Sequence, residues 1–309
     1  MCRPPALVLV NPGARGGQGR ARLSRVWPEV VARFEARAVD LDRAGRWRGD
    51  LREALDRGVR HFVAAGGDGT VGALADALWQ ARARVPLPAL TLGAVGLGSS
   101  NDFHKPFRTT VSGIPLRLAG SEWRDVGHLA YVDDAGRERE RAFLVSCSLG
   151  VTAAANDFFN DGDALVRALR RRWTGGAIAY AALHEILRGG GVALDLVRPG
   201  TRERVRAASL SILKTPHLAG SLVFDTPVRP DDGALAVNLI EDRGRVATLV
   251  VVLRLARGRF VGHRGARHWS LRELLVEAEA PVPLEIDGEV VRASRARFDV
   301  LPERIRACA

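Results

Sequence analysis

Short apolar runs alternate with longer amphipathic stretches through the first third of the chain, and period-two runs dominate the remainder. The early alternation predicts strands at Ala6 to Val10, Val39 to Leu41, His61 to Ala65 and Ala89 to Leu92, the last continuing towards Val95. Helices are predicted between them at Arg20 to Ala36, Trp47 to Asp56 and Val71 to Arg82. Strands and helices at this spacing argue for a parallel sheet covered by helices, with binding sites where strand ends meet helix starts.

After roughly residue 122 the period changes to two, as in Arg124 to Val132, Ala142 to Ser148, Val192 to Val197, Ala207 to Leu213 and Ala234 to Leu239. Turn chemistry at Asp133-Asp134-Ala135-Gly136 and Asp231-Asp232-Gly233 suits antiparallel strands packed sheet on sheet. A helical insertion is predicted at Ala164 to Leu187 and a second helix at Arg245 to Arg257. With no internal repeat and no low-complexity linker, the change of period alone divides the chain, into 1–122 and 123–296.

Composition narrows the class. Hydrophobic residues make up 47% and charged residues 26%, ordinary for a globular protein and far from disordered or fibrous chains. The formal charge of +11 is nearly all arginine, since lysine occurs only at Lys105 and Lys214. Arginine scattered along the whole length, with no block of like charge, reads as compositional bias and marks no nucleic-acid tail. The N-terminus lacks the apolar core and cleavage site of a signal peptide, and the most apolar stretch, Val246 to Ala256, is interrupted by Arg254. A cytoplasmic protein without a transmembrane segment is expected. Cys2, Cys147 and Cys308 are widely separated, which argues against a disulfide framework or a zinc site.

Four segments carry candidate chemistry. His61 to Thr70 ends in Gly66-Gly67-Asp68-Gly69-Thr70, where glycines let backbone amides approach phosphate oxygens and the helix start beside them favours anions. A tight turn whose Asp68 merely caps a helix would look the same. Val8 to Gly17 and Gly93 to Lys105 are two further strand-to-glycine-rich loops. Finally, Leu284 to Val290 sets Asp287 and Glu289 either side of Gly288, which suits a base beside a phosphoryl group, or an ordinary hairpin turn.

In this order, over almost the full length, these segments resemble the diacylglycerol kinase catalytic-domain family, which includes sphingosine kinases and related bacterial lipid kinases. Gly66 to Thr70 is identical to the family hallmark, Asn11-Pro12 fits its opening motif, Ser99 to Phe103 its Gly-Thr-x-Asn-Asp-Phe region, and Asp287-Gly288-Glu289 its terminal acidic motif. The resemblance implies an N-terminal α/β nucleotide-binding domain, to which 297–309 returns, and a C-terminal antiparallel β-sandwich, with the active site in the cleft. It assigns Asn11, Pro12, Gly13, Gly66, Gly67, Asp68, Gly69, Thr70, Val71, Gly72, Ala73, Ser99, Asn101 and Asp102 to the ATP site. Asp68 would sit by the phosphates and Mg²⁺, and Glu289, slightly favoured over Asp287, would take the proton from the acceptor hydroxyl. Asp232, with main-chain oxygens of Arg229 and Ala234, matches a loop that holds a structural Mg²⁺ in bacterial members; an Asp-Gly turn is the alternative.

The sequence departs from the family pattern at Ser99, at His104-Lys105 where Ala-Arg is usual, and at Val145 where asparagine is common. His263 and His268 have no common zinc spacing, and His184-Glu185 lacks the second histidine of a metalloprotease. Arg170 to Trp173 suits either anionic headgroups or a solvated helix face.

The implied activity is ATP- and Mg²⁺-dependent phosphorylation of a lipid hydroxyl on a diacylglycerol-like, sphingoid or polyprenol acceptor, a step of phospholipid metabolism. The lipid would be met at the inner membrane face through peripheral association, with no nucleic acid as partner and a homodimer among the allowed assemblies. Two other readings stand beside it: an NAD kinase-like or phosphofructokinase-like kinase of a soluble hydroxyl substrate, and an inactive nucleotide- or membrane-binding regulator.

Overall fold

The computed structural model describes residues 3–309 apart from the Arg171 side chain, so Cys2 and that side chain lie outside the described residues. The chain divides into two compact units, Met1–Val126 with Pro302–Ala309, and Gly127–Leu301.

The first unit is built on four parallel strands, β1 (Pro5–Val10), β2 (Glu35–Asp40), β3 (His61–Gly66) and β4 (Thr91–Gly96), in spatial order β4-β3-β1-β2. Strands with both faces covered read as continuous apolar runs, and Ala6 to Val10 and Phe62 to Ala65 are wholly buried. Val8 lies opposite Val63 on one side and Ala38 on the other, and Ala64 opposite Ala94. The outer edge of β4 takes two partners. Arg306 and Ala307 run parallel to Thr91 and Leu92, and Arg117 and Leu116 run antiparallel to Ala94 and Val95.

The helix expected over Arg20 to Ala36 forms as two shorter ones, Gly19–Ser24 and Trp27–Arg33. Val26 leaves helical geometry, and Pro28 opens the second piece, where its missing N–H costs nothing. β2 begins at Glu35, earlier than its apolar residues suggest, because main-chain pairing with β1 sets an edge strand's extent while its side chains face solvent.

The second unit is antiparallel and forms the β-sandwich. One path of strands runs Ala266–Leu271, Leu235–Glu241, Thr201–Leu213, Val192–Arg198, Glu273–Ile286 and then Glu289–Ala307. Ser146–Gly150 pairs with both Thr201–Leu213 and Glu273–Ile286. The apolar face of these strands closes a core that includes Phe143, Leu149, Leu194, Leu210, Ile212, Val237, Leu284, Ile286 and Phe298. The expected strand Ala142 to Ser148 is interrupted, since Phe143 ends one strand and Ser146 begins the next. A helix at Val151–Asp161 was not signalled by the pattern, and the predicted insertion splits at Trp173 into Ala164–Arg172 and Thr174–Arg188. Among the described residues no helix is long and apolar enough to cross a membrane.

Candidate active site

In the first unit the three glycine-rich loops leave the C-terminal ends of β1, β3 and β4, and side chains fasten them to each other. The Asn11 side-chain amide donates to the Thr70 hydroxyl at 3.3 Å, and the Asn11 side-chain carbonyl oxygen accepts from the Gly13 backbone at 3.0 Å. Arg15 reaches the Gly98 carbonyl at 3.2 Å. Most telling is Asp68. Its two carboxylate oxygens accept the backbone amides of Asp102 and Phe103 at 3.0 and 2.9 Å, so the acid of the second loop holds the third.

The glycines act here through contact between loops. A Cβ on Gly98 would strike the Gly67 backbone, and one on Gly66 would strike Thr70. Neither Gly67 nor Gly98 has a positive φ; that conformation falls on Asn101, at φ 50°, whose side chain bonds the backbone of Gly96 and Gly98. Asparagine tolerates the left-handed region better than most residues. The helix Asp68–Gln80 starts at the same place without a side-chain cap, so its first amides are oriented for an anion. Asp102 in turn is paired with the Lys105 ammonium at 2.6 Å. Thus Asn11, Thr70, Asp68, Asn101 and Asp102 are brought together, along with Arg15 and Lys105, which no motif had assigned a role.

His104 lies 2% exposed behind this loop. Burial, with the charges of Arg117 and Arg124 nearby, pushes its pKa down to about 3. The folded chain therefore keeps the ring neutral while the unfolded chain protonates near 6.5, so stability is lost as pH falls through that window. Between pH 6.5 and 4.5 this one group should cost about 2 kcal/mol. Urea titrations should show that loss in the wild type and a correspondingly flatter acid limb in His104→Leu; parallel limbs would refute it.

In the second unit the two acids of the terminal motif have different surroundings. Asp287 is buried and sits in the left-handed region at φ 46°. Its carboxylate accepts the backbone amides of Leu144, Val145 and Ser146, each at 2.9 Å, which is why the strand breaks there. Burial raises its pKa to about 6 in spite of those bonds. Glu289 is 48% exposed and paired with Arg141 at 2.8 Å. Glu285, which no motif singled out, is buried, accepts the Ser148 hydroxyl at 2.8 Å and bonds the Gly288 amide from behind. Asn156 of the unpredicted helix donates to the Gly288 carbonyl at 2.9 Å. Asp287 thus shapes the turn, and Glu289 is the acid with access to solvent.

The Asp232 loop differs from the metal site that its sequence suggested. The Lys214 ammonium lies 2.6 Å from the Ala234 carbonyl oxygen and 3.3 Å from the Asp232 carboxylate, the two oxygens expected to bind Mg²⁺. Asp232 also accepts the Ala234 amide at 3.1 Å, as an Asp-Gly turn requires, and the Arg229 side chain faces Asp231. A dication does not fit beside an ammonium on the same donors.

Glycine-rich loops gather at the carboxyl ends of the first unit's parallel sheet, and the second unit is an antiparallel sandwich. A profile of the diacylglycerol kinase catalytic domain matches residues 5–121, and one of the YegS C-terminal NAD kinase beta sandwich-like domain matches residues 145–309. The chain is 28% identical over 292 residues to a "Probable lipid kinase YegS-like" of Stenotrophomonas maltophilia, covering 90% of this chain and 89% of that one. It is 29% identical over 312 residues to a protein of the same name from Pseudomonas aeruginosa, covering 97% and 93%. The crystal structure of a diacylglycerol kinase from Bacillus anthracis shares the fold, with a TM-score of 0.70 at 18% identity over 100% of this chain and 97% of that one. The chain belongs to the diacylglycerol kinase catalytic-domain family and is a kinase by descent.

Proposed function

We propose that the protein transfers the γ-phosphoryl group of ATP to the hydroxyl of a lipid. The observation that carries this reading is the fastening of the three phosphate-compatible loops through Asn11, Arg15 and Asp68. Loops locked to one another before substrate arrives hold a triphosphate in one pose, and positioning with charge stabilisation is most of what phosphoryl transfer needs. Asp68 is the carboxylate that would sit beside the nucleotide's Mg²⁺, which in such sites takes one or two protein carboxylates plus phosphate oxygens and would neutralise charge on the γ-phosphoryl group.

Glu289 is the proton acceptor in this reading. The lipid oxygen bonds to the γ-phosphorus as the bond from that phosphorus to the β,γ-bridging oxygen breaks, and the hydroxyl proton passes to the Glu289 carboxylate. Asp287 positions the turn that presents it. The lipid class is supported by the relatives' names and by exposed apolar residues, Trp173 at the break between two helices and Leu183, Leu187, Val246, Val250 and Leu253 on helices, set among arginines. Such a mixture suits the surface of an anionic bilayer approached from the cytoplasm.

Labelled ATP offered with diacylglycerol, ceramide, sphingosine and polyprenol in anionic vesicles, against NAD and sugar phosphates, tests the proposal. Phosphate should appear on a lipid, and label confined to NAD or a sugar phosphate would transfer the assignment to a soluble substrate. Glu289→Gln should lower turnover by about 10²- to 10⁴-fold, the range of a lost general base. Its melting temperature should stay near the wild-type value, since the Glu289 side chain is half exposed.

A further inference from the structure

We infer that the Lys214 ammonium is the resident cation of the Asp232 loop, so that this loop closes without a divalent metal ion. Lys214 comes directly after the strand Thr201–Leu213 and is only 1% exposed. A lysine ammonium so deeply buried has to have its charge answered and its three protons accepted. The Ala234 carbonyl at 2.6 Å and the Asp232 carboxylate at 3.3 Å contribute to both.

Those two oxygens are also the ones a metal would need. Mg²⁺ binds oxygen at about 2.0–2.1 Å and Ca²⁺ at about 2.3–2.6 Å, so an ion on both atoms would fall in the volume that Nζ fills. It would also bring two positive charges against one at van der Waals distance. The occupant is therefore one or the other, and the covalently attached one has no translational entropy to lose on binding.

Composition points the same way. Basic positions in this chain are arginine everywhere except Lys105 and Lys214. A guanidinium is a planar fork and cannot stand in for a spherical ion, whereas an ammonium is a compact point charge with donors spread around it. Lysine survives where that shape is needed: both residues sit against an aspartate oxygen.

The placement has a consequence for the acidic turn of the same unit. The Lys214 backbone amide donates to the Val145 carbonyl at 2.9 Å, and the Val145 amide donates to Asp287. Lys214 thus joins the Asp232 loop to the segment that cradles Asp287. A chelator that strips a metal from such a loop would loosen the turn, while a tethered ammonium is indifferent to it.

The test uses the full chain without nucleotide, so that a metal bound through ATP plays no part. Melting temperatures of the wild type in EDTA and in millimolar Mg²⁺ or Ca²⁺ should coincide, and metal analysis after dialysis should find no stoichiometric divalent ion. Lys214→Ala should melt about 10 °C lower, the scale expected for breaking a buried pair in a chain this size. Asp232→Asn should cost much less in the Lys214→Ala background than alone, because the partner is already gone.

Wild-type protein that loses stability in EDTA and regains it with Mg²⁺, with one ion per chain, would overturn the inference. So would a Lys214→Ala chain that melts like the wild type. If Lys214→Ala does not fold, the chelator and metal-content measurements on the wild type decide the matter alone.

Discussion

Alanine at position 287 should destabilise the second unit by about 4 kcal/mol. The estimate combines opposing terms. Three backbone amides, those of Leu144, Val145 and Ser146, lose their acceptor, and a buried unsatisfied donor costs about 1–3 kcal/mol. An alanine held in the left-handed region adds about 1 kcal/mol.

Against this stands relief of ionisation. The folded pKa of Asp287 is raised to about 6 from 3.8, so folding is favoured by its proton below 3.8 and that contribution is lost as pH rises through 6. At pH 7 the buried ion therefore costs about 3 kcal/mol, which alanine recovers. The amides win. Asp287→Asn recovers the same ionisation cost, keeps an acceptor oxygen and the tolerance for φ 46°, and leaves one amide without its acceptor, so its stability should lie within about 2 kcal/mol of the wild type. Urea unfolding monitored by tryptophan fluorescence separates the two variants; an Asp287→Ala chain as stable as the wild type but inactive would show that the acid serves chemistry instead of the turn.

Asp68→Asn should lower turnover by about 10³-fold or more. Two effects combine. One carboxylate oxygen becomes an amide that meets the Asp102 or Phe103 N–H donor to donor, so the third loop is released from the second. The negative charge that would share the nucleotide's Mg²⁺ is also gone. Unfolding of the second unit should be unchanged, while the first loses about 1–3 kcal/mol. Labelled-ATP turnover and the two unfolding transitions measure both, and turnover within a few-fold of wild type would remove Asp68 from the chemistry.

The buried parallel strands were legible because burial on both faces leaves continuous apolar runs, as in β1 and β3. Glu273–Ile286 and Glu289–Ala307 were not, because glutamate, arginine and proline interleave with their apolar residues and one face stays wet. The acids of the candidate site were legible by type and spacing, but their division of labour was not. Sequence sets Asp287 and Glu289 two apart; only the folded chain shows one under three amides and the other beside Arg141. The same holds for the Asp232 loop, whose spacing suits a metal until a lysine eighteen residues earlier in the chain is seen to fill it.

The pairing of β4 with Arg306 and Ala307 bears on how the protein is made. Cys308 donates to the Leu92 carbonyl at 2.8 Å and Ala309 to that of Ala119 at 2.9 Å, so the first unit's sheet is finished by residues that the ribosome releases only after the whole second unit. Domains ordinarily fold as they emerge, N-terminal first. Here the nascent first unit waits with one edge of β4 incompletely paired, and a ribosome stalled within the sandwich would hold that edge open to the chaperones that greet new chains.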